Sequence, residues 1–316
     1  MKYLLLPLLS CSLILLGSCS SSSVESFQFS DNDGDLVSDT PTDPSQLIDP
    51  SSLIFAYTPV EDPAVYADVW AGFIEHLSEL TGKEVKFFPV QSNAAQLEAM
   101  RAGRLHVTGF NTGSVPAAVN LCGFVPAIMM AATDGSFGYE MEIIVPRDSS
   151  IDKPEAIRGR QLAFTSPTSN SGHKAPSVLL QTQFGLESGK DYTPVFSGKH
   201  DNSILGVVNG DYEAAAVANS VLDRMVDRGV VQPDSYRSIF KSATFPTTAF
   251  GYAYNLKPEL AGKIKEAFAT YPWEGSKLAE EFGKSGEAQF IPITYKEHWA
   301  VIREIDEANG VVYEIR

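Results

Sequence analysis

Gln161-Leu162-Ala163-Phe164, then Thr165-Ser166-Pro167-Thr168-Ser169-Asn170-Ser171-Gly172-His173, then Ala175 to Phe184: this stretch decides how the chain folds. A short apolar strand enters a long polar turn and leaves it as a helix. A helix cap needs only one small polar residue, whereas eight of the nine in this turn are small or polar. In open α/β sheets the carboxyl ends of the strands border the ligand crevice. A helix N-terminus there presents unpaired N–H groups and the positive end of the macrodipole, which suits an anion. Two further turns have the same setting. Asn111-Thr112-Gly113-Ser114 follows Leu105 to Phe110, and Ser197-Gly198-Lys199-His200-Asp201-Asn202-Ser203 follows Pro194 to Phe196. Taken singly, plain capping accounts for either of these.

Outward from this stretch, strands and helices alternate. On the N-terminal side lie a strand over 53–57, a helix over 64–81 stopped by Gly82, a strand over 85–90, a helix over 93–102 and a strand over 105–110. A second series runs from a strand over 139–145 to a helix over 220–228, and strands near 237–241 and 251–254 precede helices over 258–271 and 295–309. This alternation predicts an α/β fold with mainly parallel sheets. Two series predict two lobes, with 142–248 as lobe two inserted between 53–141 and 249–316 of lobe one. The chain then crosses twice, which creates a hinge and an interlobe ligand cleft. No short-period repeat and no membrane-spanning run appears after residue 52.

The N-terminus reads as an export signal: Lys2 precedes an apolar run, Tyr3 to Leu16. That run is too short to span a bilayer, which takes about 20 residues. Leu16-Gly17-Ser18-Cys19 resembles the bacterial lipobox, whose cysteine is acylated. Residues 20–52 are rich in Ser, Asp and Pro and read as a disordered tether. A domain anchored to the membrane through Cys19, in the periplasm or on the outer face of the plasma membrane, is therefore expected.

After the signal and Cys19 the domain holds one further cysteine, Cys122, so no internal disulfide is expected. Its apolar setting, Leu121-Cys122-Gly123-Phe124, favours a buried structural thiol over a metalloid ligand. A net charge of −15 argues against nucleic acid as a partner and requires any anion site to be built locally. Neutral donors suffice for that. Five hydrogen bonds to a charged group supply roughly 7–15 kcal/mol gross, against about 8 kcal/mol for micromolar affinity.

An enzyme is not expected, since neither a Gly-x-Ser-x-Gly elbow nor a phosphate loop ending in Gly-Lys-Ser/Thr is present. The five histidines show no metal-ligand pair at helical spacing, and no metal or cofactor is expected. A serine assisted by His173 or His200 has only Asp201 as a candidate orienting acid.

Gly109-Phe110-Asn111-Thr112-Gly113-Ser114, Ser166 to Pro176 and Phe196 to Ser203 together resemble the phosphate/phosphite/phosphonate ABC-transporter binding proteins, over Leu53 to about Arg316. The resemblance implies a type II periplasmic-binding-protein fold: two α/β lobes, a hinge and an interlobe cleft holding a small phosphorus oxyanion. It implies an ABC permease with its ATPase as partner, and a monomer is expected. Ser169, Asn170 and Ser171 match the family's gripping turn, with Asn170 departing from the usual threonine, and His200 matches its histidine. Tyr57 and Thr112 are expected on the facing wall, and Thr247 and Thr248 beside them. Family members that take an aminoalkylphosphonate place an acidic residue near Asn219-Ser220. This chain has none there, which implies a ligand without an amine. The alternative is an arsenic-type oxyanion receptor signalling to a membrane histidine kinase.

Overall fold

The computed structural model describes residues 27–313; the export signal and Cys19 lie outside the described residues. The strands are β1 (Ser52–Ala56), β2 (Glu84–Phe87), β3 (Val107–Phe110), β4 (Phe124–Ala131), β5 (Met141–Pro146), β6 (Gln161–Phe164), β7 (Thr193–Phe196), β8 (Ala215–Ala218), β9 (Tyr236–Lys241), β10 (Ala249–Ala253) and β11 (Gln289–Pro292). They form two sheets, one of six strands in the order β11-β4-β10-β3-β1-β2 and one of five in the order β7-β6-β8-β5-β9. Helices cover both sheets, giving two α/β lobes. β6 and β8 are apolar runs buried on both faces, as covered parallel strands require.

The sheets are mixed rather than mainly parallel. β1 pairs in parallel with β2 and β3, and β6 with β7 and β8. β10 runs antiparallel to β3, and β5 antiparallel to β8. The cause is topological: β5 and β10 are the strands entering each lobe directly from the other, against the sense of their neighbours. β4 has no counterpart in the sequence reading, because Pro126 interrupts its pattern and demotes a strand. Here Pro126 sits opposite Gly251, where the β10 register shifts in a bulge.

The helix expected over 64–81 is broken at Trp70 into Pro63–Val69 and Ala71–Thr81. The break lets Tyr66 face Tyr57 and Phe282 while Phe73 faces Phe268. Trp70, fully buried, packs on Phe55 and Phe250 at 5.0 and 5.2 Å between ring centroids. The C-terminal helix is likewise interrupted at Trp299, whose indole N–H donates to the Thr112 carbonyl at 2.9 Å.

Residues 27–52 correct the expectation of a disordered tether. Phe27 is buried against Tyr254, with ring centroids 5.0 Å apart. Ile48 pairs with Leu256, and Asp49 binds Lys83 at 2.7 Å. The few apolar side chains here find grooves on lobe one, which composition alone does not reveal.

The lobes are closed on each other. His200 N–H donates to Val60 O at 3.2 Å, Asp62 N–H to Asp201 Oδ2 at 3.2 Å, and Asn93 Nδ2 to Ser166 Oγ at 2.9 Å. Lys174 Nζ of lobe two reaches both Gly113 O and Asp306 Oδ1 of lobe one at 2.7 Å.

Candidate functional site

Between the lobes lies a cavity of about 60 Å³, room for a few waters or one small guest. The three polar turns converge beside it. Lobe one contributes Tyr57, Asn111, Thr112 and Glu287; lobe two contributes Ser169, Asn170, Ser171, His200, Ser220 and Arg224; Tyr139, Thr247 and Thr248 come from the crossings. All six residues expected at the cleft line it.

The turn after β6 works in two ways. Ser169 Oγ accepts from Gly172 N–H at 3.1 Å, so Ser169 caps the following turn of helix. That helix opens as a wide turn over Asn170–Lys174 before the α-helix Ala175–Phe184, which brings Asn170 and Ser171 to the cavity. A Cβ at Gly172 would strike the Thr165 and Ser169 side chains, so the close turn demands glycine. Asn170 Nδ2 lies 3.2 Å from Tyr139 Oη, and its buried Oδ1 has no partner among the described residues. With the amide turned by half a turn, the Tyr139 hydroxyl can donate to Oδ1, which frees Nδ2 as a donor. Thr247 Oγ1 is also buried without a partner, and Ser171 is 2 % exposed. Such unsatisfied groups point to a polar guest.

His200 is buried at the start of the helix His200–Val208. Ala218 N–H donates to Nδ1 at 3.2 Å, which leaves the ring proton on Nε2. Burial, with Arg224 nearby, pushes its pKa down to about 3. His200 is therefore a neutral donor, and protonation near pH 6.5 plays no part in its contact. Because its folded pKa lies below the ordinary one, the unfolded chain takes the proton first on acidification. Its contribution to stability is intact above about pH 6.5 and is lost progressively down to about pH 3. His200→Ala is expected to weaken anion binding by at least about tenfold, the loss of one hydrogen bond to a charged group. Affinity profiles of wild type and His200→Gln should run parallel between about pH 5 and 8, measured by titration calorimetry. A wild-type inflection near 6.5 that the variant lacks would refute the neutral-donor assignment. Asp201 accepts from Asp62 and Asn202 N–H groups and does not orient the His200 ring.

Thr112 and Tyr57 act as walls. The Thr112 hydroxyl donates to Pro246 O at 2.8 Å and so ties a crossing segment to lobe one. Tyr57 is packed by Tyr66 and Trp70, and burial pushes its phenol above the ordinary tyrosine pKa.

Arg224 and Glu287 were missed. Arg224 reads in sequence as one charge on an amphipathic helix, and Glu287 lies in a Gly-rich turn, so neither carries a local signal. Arg224 is held by Glu61 at 3.6 Å and Glu281 at 3.4 Å from lobe one. Arg228 pairs with the same two carboxylates.

Cys122 ends the helix Val115–Cys122 and is not among the cavity-lining residues. Burial pushes its thiol up to about 12, which disfavours the thiolate needed for metalloid or metal binding. Cys122→Ser should leave oxyanion affinity within about twofold, because substitutions that touch no ligand contact are usually near neutral; loss of binding would return the thiol to the site.

The two-lobed fold, the crossings and the anion-suited cavity define a type II periplasmic-binding protein. Residues 55–299 match the profile of the phosphonate ABC-transporter periplasmic substrate-binding proteins, and the chain belongs to that family. It is 27 % identical over 273 residues to the phosphate-import protein PhnD of Mycolicibacterium smegmatis, covering 83 % of this chain and 84 % of that one. The binding component of a phosphonate ABC transporter from Pseudomonas aeruginosa superposes with a TM-score of 0.73 at 20 % identity, over 82 % of this chain and 86 % of the other. PhnD1 from Prochlorococcus marinus, solved with methylphosphonate, gives 0.71 at 19 %, over 84 % and 100 %. The protein is thus an exported substrate-binding component of the cell envelope, partnered by a permease and its ATPase.

Proposed function

We propose that this receptor captures a small phosphorus oxyanion, a phosphonate, phosphite or phosphate, in the interlobe cavity and delivers it to an ABC permease. The observation that carries the reading is the convergence on one cavity of donors from two strand-to-helix turns, Asn170 and Ser171 after β6 and the Nε2–H of His200 after β7, joined by Thr247 from a crossing. The lobes are assigned as 53–141 with 249–316, and 142–248. Ligand-driven closure about the two crossings would bring Ser169, Asn170, Ser171 and His200 onto Tyr57 and Thr112.

Calorimetric titration of the mature protein with phosphite, phosphate, methylphosphonate, arsenite and arsenate tests the reading. Micromolar or tighter binding of at least one phosphorus oxyanion is expected. Binding of arsenite alone would replace it with the sensory role. The protein is further proposed to be a monomer anchored through acylated Cys19. Incorporation of labelled fatty acid, abolished by Cys19→Ala, tests the anchor.

A further inference from the structure

The cavity contains a charge that an anion site does not need. Glu287 follows the turn Gly283–Ser285, lines the same cavity as the oxyanion donors and is 9 % exposed. Ser285 Oγ donates to its Oε2 at 2.7 Å. Among the described residues, no Lys, Arg or His comes within ion-pair distance of it. Arg224, itself paired with Glu61 and Glu281, offsets part of its charge without reaching ion-pair distance. A buried, unpaired carboxylate is costly, and beside a bound anion more so.

An ionised carboxylate only accepts hydrogen bonds. Facing a bare anionic oxygen it meets another acceptor and a like charge. Facing a P–O–H it meets a donor. We propose that Glu287 is a specificity-determining residue that selects oxyanions able to bring it a proton, the P–O–H of a singly protonated phosphonate, phosphite or phosphate, and rejects sulfonates, which carry no O–H at neutral pH. The inference rests on the oxyanion reading above and names which anions that site refuses.

The surroundings favour this over an ammonium-binding role. Arg224 and Tyr57 are the charged or titratable groups that act on Glu287. An ammonium docked at Glu287 would feel the repulsive field of the Arg224 cation, whereas a P–O–H brings no positive charge. Ala131, Ala132, Ser136, Phe137, Gly138 and Thr244, which share a neighbouring surface pocket with Glu287, are not titratable. Asp134, on the intervening turn, is exposed and turned to Ser136. His200, across the cavity, is neutral. Burial also raises the Glu287 carboxyl above its ordinary pKa, so a proton shared with the ligand is held readily.

Calorimetry on the mature protein tests the assignment with methylphosphonate, its shape analogue methanesulfonate, ethylphosphonate and 2-aminoethylphosphonate. Two buffers of different ionisation enthalpy report proton uptake. Wild type should prefer methylphosphonate over methanesulfonate by at least about a hundredfold, as sites built around a ligand hydroxyl do. At a pH above the ligand's second ionisation, binding should take up close to one proton. Glu287→Gln, nearly isosteric and able to donate, should cut the preference to a few-fold and abolish the uptake. Comparable wild-type affinity for the sulfonate overturns the inference while leaving the oxyanion reading in place, and needs no variant. So does a strong preference for 2-aminoethylphosphonate over ethylphosphonate that vanishes in Glu287→Gln. Failure of every phosphorus oxyanion to bind removes the oxyanion reading itself, and the inference with it.

Discussion

Gly113→Ala is expected to weaken oxyanion binding by about tenfold to a hundredfold while both lobes stay folded. Gly113 sits on lobe one, after β3, against the turn of lobe two. A Cβ there would lie closer than 3.0 Å to Thr168 O, Ser169 C and Asn170 N. These are backbone atoms of the gripping turn, which is itself fixed by the Ser169 cap and the Gly172 turn, so no flexible side chain can yield. The two lobes must separate to admit one methyl group. Overpacking of this kind typically costs about 1–3 kcal/mol, and about 1.4 kcal/mol is a factor of ten in affinity. Loss of the cross-cleft bonds of Lys174 and Ser114, which flank the same contact, adds to it. Since the clash exists only between lobes, the thermal midpoint without ligand should change little. Calorimetry with methylphosphonate and a melting curve check both halves. Wild-type affinity in the variant would mean that the binding-competent form does not bring these turns together.

Arg224→Leu is expected to hold the receptor open. In the closed form Arg224 is buried across the interface with Glu61 and Glu281, and its guanidinium lies over Phe282 at 5.3 Å from the ring centre. Removing it leaves the buried Glu61 and the half-buried Glu281 sharing Arg228. Truncating one partner of a buried ion pair costs about 3–5 kcal/mol. The lower end applies, because Arg228, 26 % exposed, still reaches both. Opening returns the carboxylates to water, so the penalty falls on closure rather than on folding. About 3 kcal/mol corresponds to roughly a hundredfold in affinity. Small-angle scattering should show an extended particle even with saturating phosphonate for wild type, and affinity should fall accordingly. A compact variant with affinity within about threefold of wild type would show that Phe282 packing and Arg228 alone secure closure.

Much of the fold is written locally. The central strands β1, β3, β6 and β8 announce themselves as apolar runs ended by polar turns, because a strand buried on both faces has no choice but to be apolar. The turn from Thr165 to His173 is legible for a related reason: donors for an anion must be small, polar and next to a helix start. Where the sequence misleads, a long-range partner decides. Pro126 lies inside a strand because Gly251 bulges opposite it, and Trp70 breaks a periodic helix because two different faces must reach the core. Residues 27–52 have a disordered composition, yet a few apolar anchors dock them.

The residues alone determined two α/β units and an anion-suited set of turns, since periodicity and capping chemistry act over a few neighbours. Only the tertiary structure decided which charges share the cleft. Arg224, Glu61, Glu281 and Glu287 lie up to 226 positions apart along the chain and look like ordinary surface charges in it. Burial against one another, which no local pattern encodes, sets what each does.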